Sequence, residues 1–447
     1  METTLPNFNN CNIAVIGLGY VGLPLAIEFA KTTKSAKTKQ SIYYKVIGFD
    51  INEKRVKELN NAHDKNSEVY IDDIVISQRI NFTNQKSFLE EADVFIVTVP
   101  TPINDAKIPD LGPLKKASQL IGETIKKRSL KNTTASIIIF ESTVYPGATE
   151  EVCDGIIAEF SGLTLNKDYF LGYSPERINP GDKEKNLKTI VKVTSGSNKE
   201  ISLWIDNLYG NIVDAGTYSA SSIKVAEAAK VIENTQRDMN IALVNEIAAI
   251  CKLLKIDTRE VLNAASTKWN FHHYKPGLVG GHCIGVDPYY LFYKAQLLGY
   301  HPQMLLSGRK TNDGMSKYIS EDLILNMVRK EINIVNSEIL LIGLAFKENT
   351  SDHRNSGAIE VYKHLLAYNA NITVVDKNID PYEAKKFYDI KVEKEIPNEK
   401  KFDAIVFLLN HNSLNHLKIN WGKILKSKSI VYDLTGTLPK SLKPIRL

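Results

Sequence analysis

The run Gly17-Leu18-Gly19-Tyr20-Val21-Gly22 constrains the fold of this chain more than any other feature. It follows an apolar stretch, Ile13 to Ile16, that reads as a strand, and it opens a helical stretch, Leu23 to Lys31. Glycines at this spacing do three jobs: the first permits a tight turn, the second lets the backbone approach a pyrophosphate, and the third lets the helix pack on the strand. The helix N-terminus offers unpaired N–H groups and the positive end of its dipole to the anion. The chain is therefore expected to begin with a parallel α/β sheet that binds a dinucleotide.

A strand-end acid sharpens that expectation. Asp50 closes the next expected strand, Lys45 to Asp50, and lies 28 residues after Gly22, beyond the usual spacing of about 20. The polar stretch Thr32 to Ser41 reads as an inserted turn that absorbs the excess. A carboxylate there accepts hydrogen bonds from ribose hydroxyls and repels a 2′-phosphate, so NAD is favoured over NADP. Arg55 is a candidate to lie over the adenine or ribose, with a solvated helix arginine as the alternative.

The rest of the chain continues the alternation. Strands are expected at Asp93 to Val99, Ala135 to Glu141 and Tyr169 to Tyr173; runs of Val and Ile without alternation are buried on both faces, as in a parallel sheet covered by helices. From Ser221 to Leu254 no Gly or Pro interrupts one long helical pattern, with Ser221 or Ser222 as N-cap. At 1.5 Å per residue it makes a rod on the order of 50 Å, which usually links domains or forms a subunit interface. A short helix, Thr258 to Ala265, and a glycine-rich loop, Pro276 to Asp287, come next. Beyond about Asp313 a helix Met315 to Lys330, strands at Glu338 to Gly343, Ile372 to Asp376, Asp403 to Leu409 and Ser429 to Asp433, and a helix Ser356 to Tyr368 form a second, smaller α/β unit. Its first strand leads into Leu344-Ala345-Phe346-Lys347 without the three-glycine turn, so a second dinucleotide is not its expected ligand. The fold class is thus α/β, with two Rossmann-like doubly wound parallel-sheet domains joined by a central helical domain, divided at 1–213, 214–313 and 314–447.

Composition narrows the function classes. The chain is 43% hydrophobic and 24% charged, which is ordinary for a globular protein. Its lysines are scattered and its net charge is only +5, pointing to anionic small ligands rather than nucleic acid. No basic n-region and apolar h-region open the chain, and no apolar run approaches the roughly 20 residues of a membrane span. The expected location is the cytoplasm. Four cysteines, Cys11, Cys153, Cys251 and Cys283, contain no C-x-x-C pair and imply neither a disulfide framework nor a metal site.

Cys283 is the exception among them. It stands in Gly280-Gly281-His282-Cys283-Ile284-Gly285-Val286-Asp287-Pro288, where glycines clear side chains from the sulfur and Asp287 and His282 sit close by in sequence. A thiolate that adds to an aldehyde gives a thiohemiacetal; loss of a second hydride gives a thioester that water cleaves. A dehydrogenase that stopped at the carbonyl would need no thiol. Lys230 and Asn234 lie at i and i+4 on the long helix, with Arg237 near the same face, so three polar groups can converge.

The stretch Glu227-Ala228-Ala229-Lys230-Val231-Ile232-Glu233-Asn234-Thr235, the turn Gly17 to Gly22, Glu141-Ser142-Thr143-Val144-Tyr145-Pro146-Gly147, Ser174-Pro175-Glu176-Arg177, the Cys283 loop and Gly343-Leu344-Ala345-Phe346-Lys347 together resemble the UDP-glucose/GDP-mannose dehydrogenase family. The resemblance implies a homodimer built on the long helix, a C-terminal domain that binds UDP, and oxidation of a nucleotide sugar's C6 hydroxyl to a carboxylate with two NAD and one water. It makes Cys283 the nucleophile and Lys230 the group that stabilises the oxyanion, consistent with a lysine's power to lower a neighbouring thiol's pKa. Asn234 and Asp287 would order water and proton transfers; Glu176 or Asp287 would be the hydrolytic base. Thr143 would stand near the nicotinamide. The implied cofactor contacts are Gly17, Gly19, Tyr20, Val21, Gly22, Asp50, Arg55, Thr101, Thr143 and Arg354. The implied substrate contacts are Glu176, Arg177, Ile178, Lys230, Asn234, Arg237, Tyr274, Gly280, Phe346 and Lys347, the last on phosphate.

Two departures refine the substrate. The UDP-glucose branch has Cys-Phe-x-Lys-Asp around the thiol, whereas Cys283-Ile284-Gly285-Val286-Asp287 resembles the UDP-N-acetylhexosamine branch that serves bacterial surface-polysaccharide synthesis. UDP-N-acetylglucosamine is the first expectation, with UDP-N-acetylmannosamine, UDP-N-acetylgalactosamine and UDP-glucose as alternatives. No arginine stands in Asn270-Phe271-His272-His273-Tyr274-Lys275, where relatives reach the substrate, so Tyr274 or Lys275 would substitute. A two-electron hydroxyacid-type dehydrogenase and a silent NAD or nucleotide-sugar sensor are the other readings; the thiol loop and second α/β unit oppose the first, and the Cys283, Lys230 and Asn234 set opposes the second.

Overall fold

The computed structural model describes residues 4–65, 69, 71–76, 79–177, 186–414 and 419–447; Ile178 lies outside them. Two compact units share the chain: Met1–Glu233 with Tyr289–Tyr300, and Asn234–Pro288 with His301–Leu447.

The first unit is built on six parallel strands, β1 (Asn10–Ile16), β2 (Tyr43–Phe49), β3 (Ile80–Thr83), β4 (Val94–Val97), β5 (Ser136–Phe140) and β6 (Tyr169–Tyr173). Their order is β3-β2-β1-β4-β5-β6, with Ile16 level with Phe49 on one side and Val97 on the other. The order reverses between β1 and β4, which makes the carboxyl ends of those strands the natural ligand crevice of a doubly wound sheet. Ile13, Ala14 and Val15 have no exposed surface, as a strand covered on both faces requires. A short parallel pair, β7 (Lys192–Thr194) and β8 (Thr217–Ser219), is added to this unit.

The second unit repeats the plan with β9 (Glu338–Ile342), β10 (Asn371–Val375), β11 (Val392–Glu393), β12 (Phe402–Phe407) and β13 (Leu425–Asp433), ordered β11-β10-β9-β12-β13. Alternate residues of β9 feed different cores: Ile339 and Leu341 join one cluster, Leu340 and Ile342 the other. That is the period of two a pleated strand imposes.

The long helix runs Ile223–Leu254, and Ser222 caps it by accepting the Val225 N–H at 3.2 Å. The helix expected from Met315 begins instead at Gln303 and runs to Arg329. Gly308 lies inside this helix, where a Cβ would stand 2.5 Å from the Met239 sulfur, so the glycine marks close packing of two helices. The unexpected strands β3, β7, β8 and β11 span only two to four residues each, too short to show a period.

Candidate active site

The dinucleotide turn has the geometry its glycines call for. Gly17 takes φ +96° and donates its N–H to the Phe49 carbonyl at 2.8 Å. A Cβ on Gly22 would stand 1.9 Å from the Gly17 oxygen and 2.3 Å from Thr98 Oγ1, while one on Gly19 would meet nothing within 4 Å. The third glycine thus seats the helix, and the second leaves an open approach to the backbone for an anion. Tyr20 and Val21 are half-buried at the helix start. Asp50 is half-buried; its Oδ2 accepts the Leu18 N–H at 2.9 Å and its Oδ1 the Asn52 N–H at 2.8 Å. It braces the loop with part of its acceptor capacity and keeps lone pairs for a ribose.

Arg55 is 8% exposed, which excludes the solvated alternative. Its Nε donates to the Leu18 carbonyl at 3.0 Å, and its terminal nitrogens pair with Glu58 and Asp64, each at 2.8 Å. Arg55 and Asp50 therefore grip Leu18 from its two peptide groups. These residues fit NAD: a bare turn at a helix N-terminus and a strand-end carboxylate that would face the ribose.

A second group in the same unit supports Thr143 and Glu176. Thr143 is half-buried in the loop after β5. That loop is tied to the long helix by Glu227, which is wholly buried and accepts the Gly147 N–H and the Thr149 N–H, the latter at 2.9 Å. Burial raises the Glu227 pKa to about 7, with the Gly147 N–H working in the opposite direction. Glu176 is 5% exposed, and the preceding Pro175 carbonyl is held by Lys192 at 3.1 Å. Lys192 pairs with Glu141 at 2.7 Å, and Tyr209 donates its hydroxyl to the same carboxylate; burial, then Glu141, pushes the Tyr209 phenol well up. Arg177 is exposed and Lys230 buried, and the Thr101 carbonyl accepts the Tyr290 hydroxyl at 2.8 Å. Glu227 was legible in principle, since 227, 230 and 234 share one helix face; Lys192 carried no local signal.

The second unit gathers the thiol residues. Cys283 is half-buried and not in a disulfide, and its carbonyl accepts the N–H of Val286 at 3.1 Å and of Asp287 at 2.8 Å. This tight turn starts the helix Asp287–Leu297 and sets the backbone of Asp287 one turn after Cys283. Asp287 and Asn234 are both buried, and the Asn234 amide donates to Asp287 Oδ2 at 2.6 Å. An Asp–Asn pair fixed in this way can order a water or relay a proton beside a thiol.

The glycines of the loop accommodate Phe346: a Cβ on Gly281 would come within 2.7 Å of its ring, and one on Gly280 within 3.2 Å of its Cβ. The Gly281 N–H donates to the Asn355 carbonyl at 3.3 Å. His282 meets Asp352 at 3.1 Å, and Arg354 reaches the same carboxylate at 2.8 Å. Burial opposes ionisation of Asp352, yet the hydrogen bonds from His282 and Arg354 hold it well below the usual carboxylate range. His282 is thus engaged with Asp352 rather than poised as a base. Lys347 and Tyr274 are half-buried, and Arg237 and Lys275 exposed. No cluster of three or more His, Cys, Asp or Glu able to hold a metal occurs among the described residues.

A bare dinucleotide turn, a second doubly wound sheet and a glycine loop around a thiol thus stand on one chain. Three family models cover it in order: the UDP-glucose/GDP-mannose dehydrogenase NAD binding domain over residues 11–213, the central domain over 224–314 and the UDP binding domain over 340–440. The chain belongs to the UDP-glucose/GDP-mannose dehydrogenase family. It is 47% identical to a UDP-N-acetyl-D-glucosamine 6-dehydrogenase of Salmonella typhi, covering 97% of this chain and 98% of that one. Against the enzyme of the same name from Pseudomonas aeruginosa it is 48% identical, covering 97% and 99%. Among solved structures, a UDP-D-ManNAc dehydrogenase from Pyrococcus horikoshii superposes with a TM-score of 0.82 at 26% identity, over 97% of this chain and 98% of that one.

Proposed function

We propose that this chain oxidises the C6 hydroxyl of UDP-N-acetyl-D-glucosamine to the carboxylate with two NAD and one water, as a step in bacterial surface-polysaccharide precursor synthesis. The observation that carries the reading is the buried Asn234–Asp287 pair held one tight turn from Cys283. The Salmonella typhi and Pseudomonas aeruginosa relatives, at 47% and 48% identity, supply the sugar. Val286 is buried, so the position that bears a lysine in the UDP-glucose branch offers no charge here.

NAD, when bound, accepts hydride from carbon. Cys283 adds to the aldehyde to form a thiohemiacetal and, after the second oxidation, holds the sugar as a thioester. Lys230 stabilises the oxyanion at the reacting carbon. Asn234 and Asp287 order the water and its proton, with Glu176 as the other base; water breaks the C–S bond and returns the thiol. Thr143, Thr101, Arg55 and Arg354 serve the cofactor together with the Gly17 to Gly22 turn. Lys347 meets the substrate phosphates, Phe346 and Gly280 border the nucleotide, and Arg177, Arg237 and Tyr274 contribute to the sugar pocket.

The regions 1–213, 214–313 and 314–447 carry NAD binding, dimerisation with catalysis, and UDP binding in that order. Leu243, Ile250 and Leu254 leave apolar surface on one face of the long helix, which fits a homodimer. No helix among the described residues is long and apolar enough to cross a membrane. The cytoplasm is the proposed location, which suits the use of NAD and a thiol nucleophile. NADH formation measured with UDP-N-acetylglucosamine, its galacto and manno isomers and UDP-glucose tests the substrate: the first should give the highest kcat/KM, and preference for UDP-glucose would overturn the choice.

A further inference from the structure

The turn after β9 contains a buried couple to which the proposed reaction gives no part. Asp376 and His411 are 2% and 3% exposed. Asp376 Oδ2 accepts the N–H of Leu344 at 2.7 Å and of Ala345 at 3.1 Å, and meets His411 Nε2 at 3.2 Å. Its Oδ1 accepts the N–H of Asn378 at 2.8 Å and of Ile379 at 3.3 Å. His411 Nδ1 faces two donors, the Asn349 N–H at 2.9 Å and the Asn378 side-chain amide at 3.0 Å. A ring nitrogen met by a backbone N–H has to present its lone pair, so Nε2 carries the proton and gives it to Asp376 as a hydrogen bond. The couple pins the segment 344–349 at both ends, and Phe346 and Lys347 lie between the pins.

We propose that His411, together with Asp376, is a positioning residue for the nucleotide loop, holding the backbone of 344–349 in the shape that presents Lys347 to the phosphates of UDP. The inference rests on the assignment of Lys347 to the substrate phosphates. The reason is one of connectivity: Asn349 has φ +60°, a strained backbone for a residue with a side chain, and the imidazole is what engages its N–H. The loop so held also carries the Phe346 ring that lies on Gly281, two residues before the thiol.

The test titrates the full chain by calorimetry with UDP and, separately, with NAD. His411→Ala should weaken UDP binding about tenfold, the scale of one lost hydrogen bond in a ligand-holding loop, and leave NAD affinity unchanged. In turnover the sugar KM should rise with kcat little altered. His411→Asn, whose amide oxygen can still accept from Asn349, should recover part of the UDP affinity and serves if the alanine variant does not fold. Unchanged UDP affinity in both variants, while Lys347→Ala loses it, overturns the role of His411 and leaves Lys347 in place. Undiminished UDP binding by Lys347→Ala overturns the phosphate assignment and the proposal with it. Equal loss of UDP and NAD affinity in the His411 variants also overturns it, because that is the signature of general damage.

Discussion

The two sheets solve the same turn and then diverge. After β1, Gly17 at φ +96° receives the chain, and Asp50, at the end of β2, accepts the Leu18 N–H. After β9, Gly343 at φ +94° does so, and Asp376, at the end of β10, accepts the Leu344 N–H. The difference lies in the residues beyond that first glycine and in the cover over the acid. Gly19 and Gly22 of the first turn correspond to Ala345 and Glu348 of the second, and Asp376 is buried under His411 where Asp50 stays half-open. A strand-end acid is therefore not itself a ribose site. With the acid half-open and the turn bare, the turn suits a dinucleotide; with the acid sealed, it becomes a brace for the loop that follows.

Replacing Gly22 with Val should have the largest effect, because the added Cβ would overlap the Gly17 carbonyl. NAD affinity should fall by about a hundredfold or more, while UDP titration of the same variant should be unchanged, since the second sheet has its own core; the size follows from the steric cost of overpacking. Cys283→Ser should stop carboxylate formation and leave both ligand titrations alone, which separates the thiol from either turn; product analysis by mass spectrometry decides this. Asp50→Ala should weaken NAD about tenfold through the lost Leu18 brace and ribose acceptor. Ala345→Gly should confer no NAD site on the second turn, because Asp376 remains closed; a second NAD equivalent in that variant would break the comparison.

The smallest expected effect is a pH slope in stability. Glu227 is raised from 4.5 to about 7 by burial. Its contribution is fully present below the unfolded value and is lost as pH rises through the folded one, at up to ~1.4 kcal/mol per unit. The melting temperature of the wild type relative to Glu227→Gln should therefore fall between pH 5 and pH 8. A difference that stays flat across this range would show that Glu227 is ionised throughout.

How much the sequence reveals depends on the reach of each interaction. Turns, strands and caps depend on neighbours a few residues apart, so the Gly17 turn, the long helix and a serine cap at 221 or 222 are readable, and the structure selects Ser222. The roles of Arg55 and Lys192 are not. Arg55 grips Leu18, 37 residues away, and Lys192 reaches Glu141 across 51; only the sheet brings such pairs together. The same holds for His411 with Asp376, 35 residues apart.

Of two turns built on one plan, only the first combines bare glycines with an open acid, the combination that suits a dinucleotide. NAD titrated into the full chain tests this most directly. One equivalent bound per chain, abolished in Gly22→Val with UDP binding intact, is the predicted result. Two equivalents per chain, or loss of UDP binding together with NAD, would contradict it.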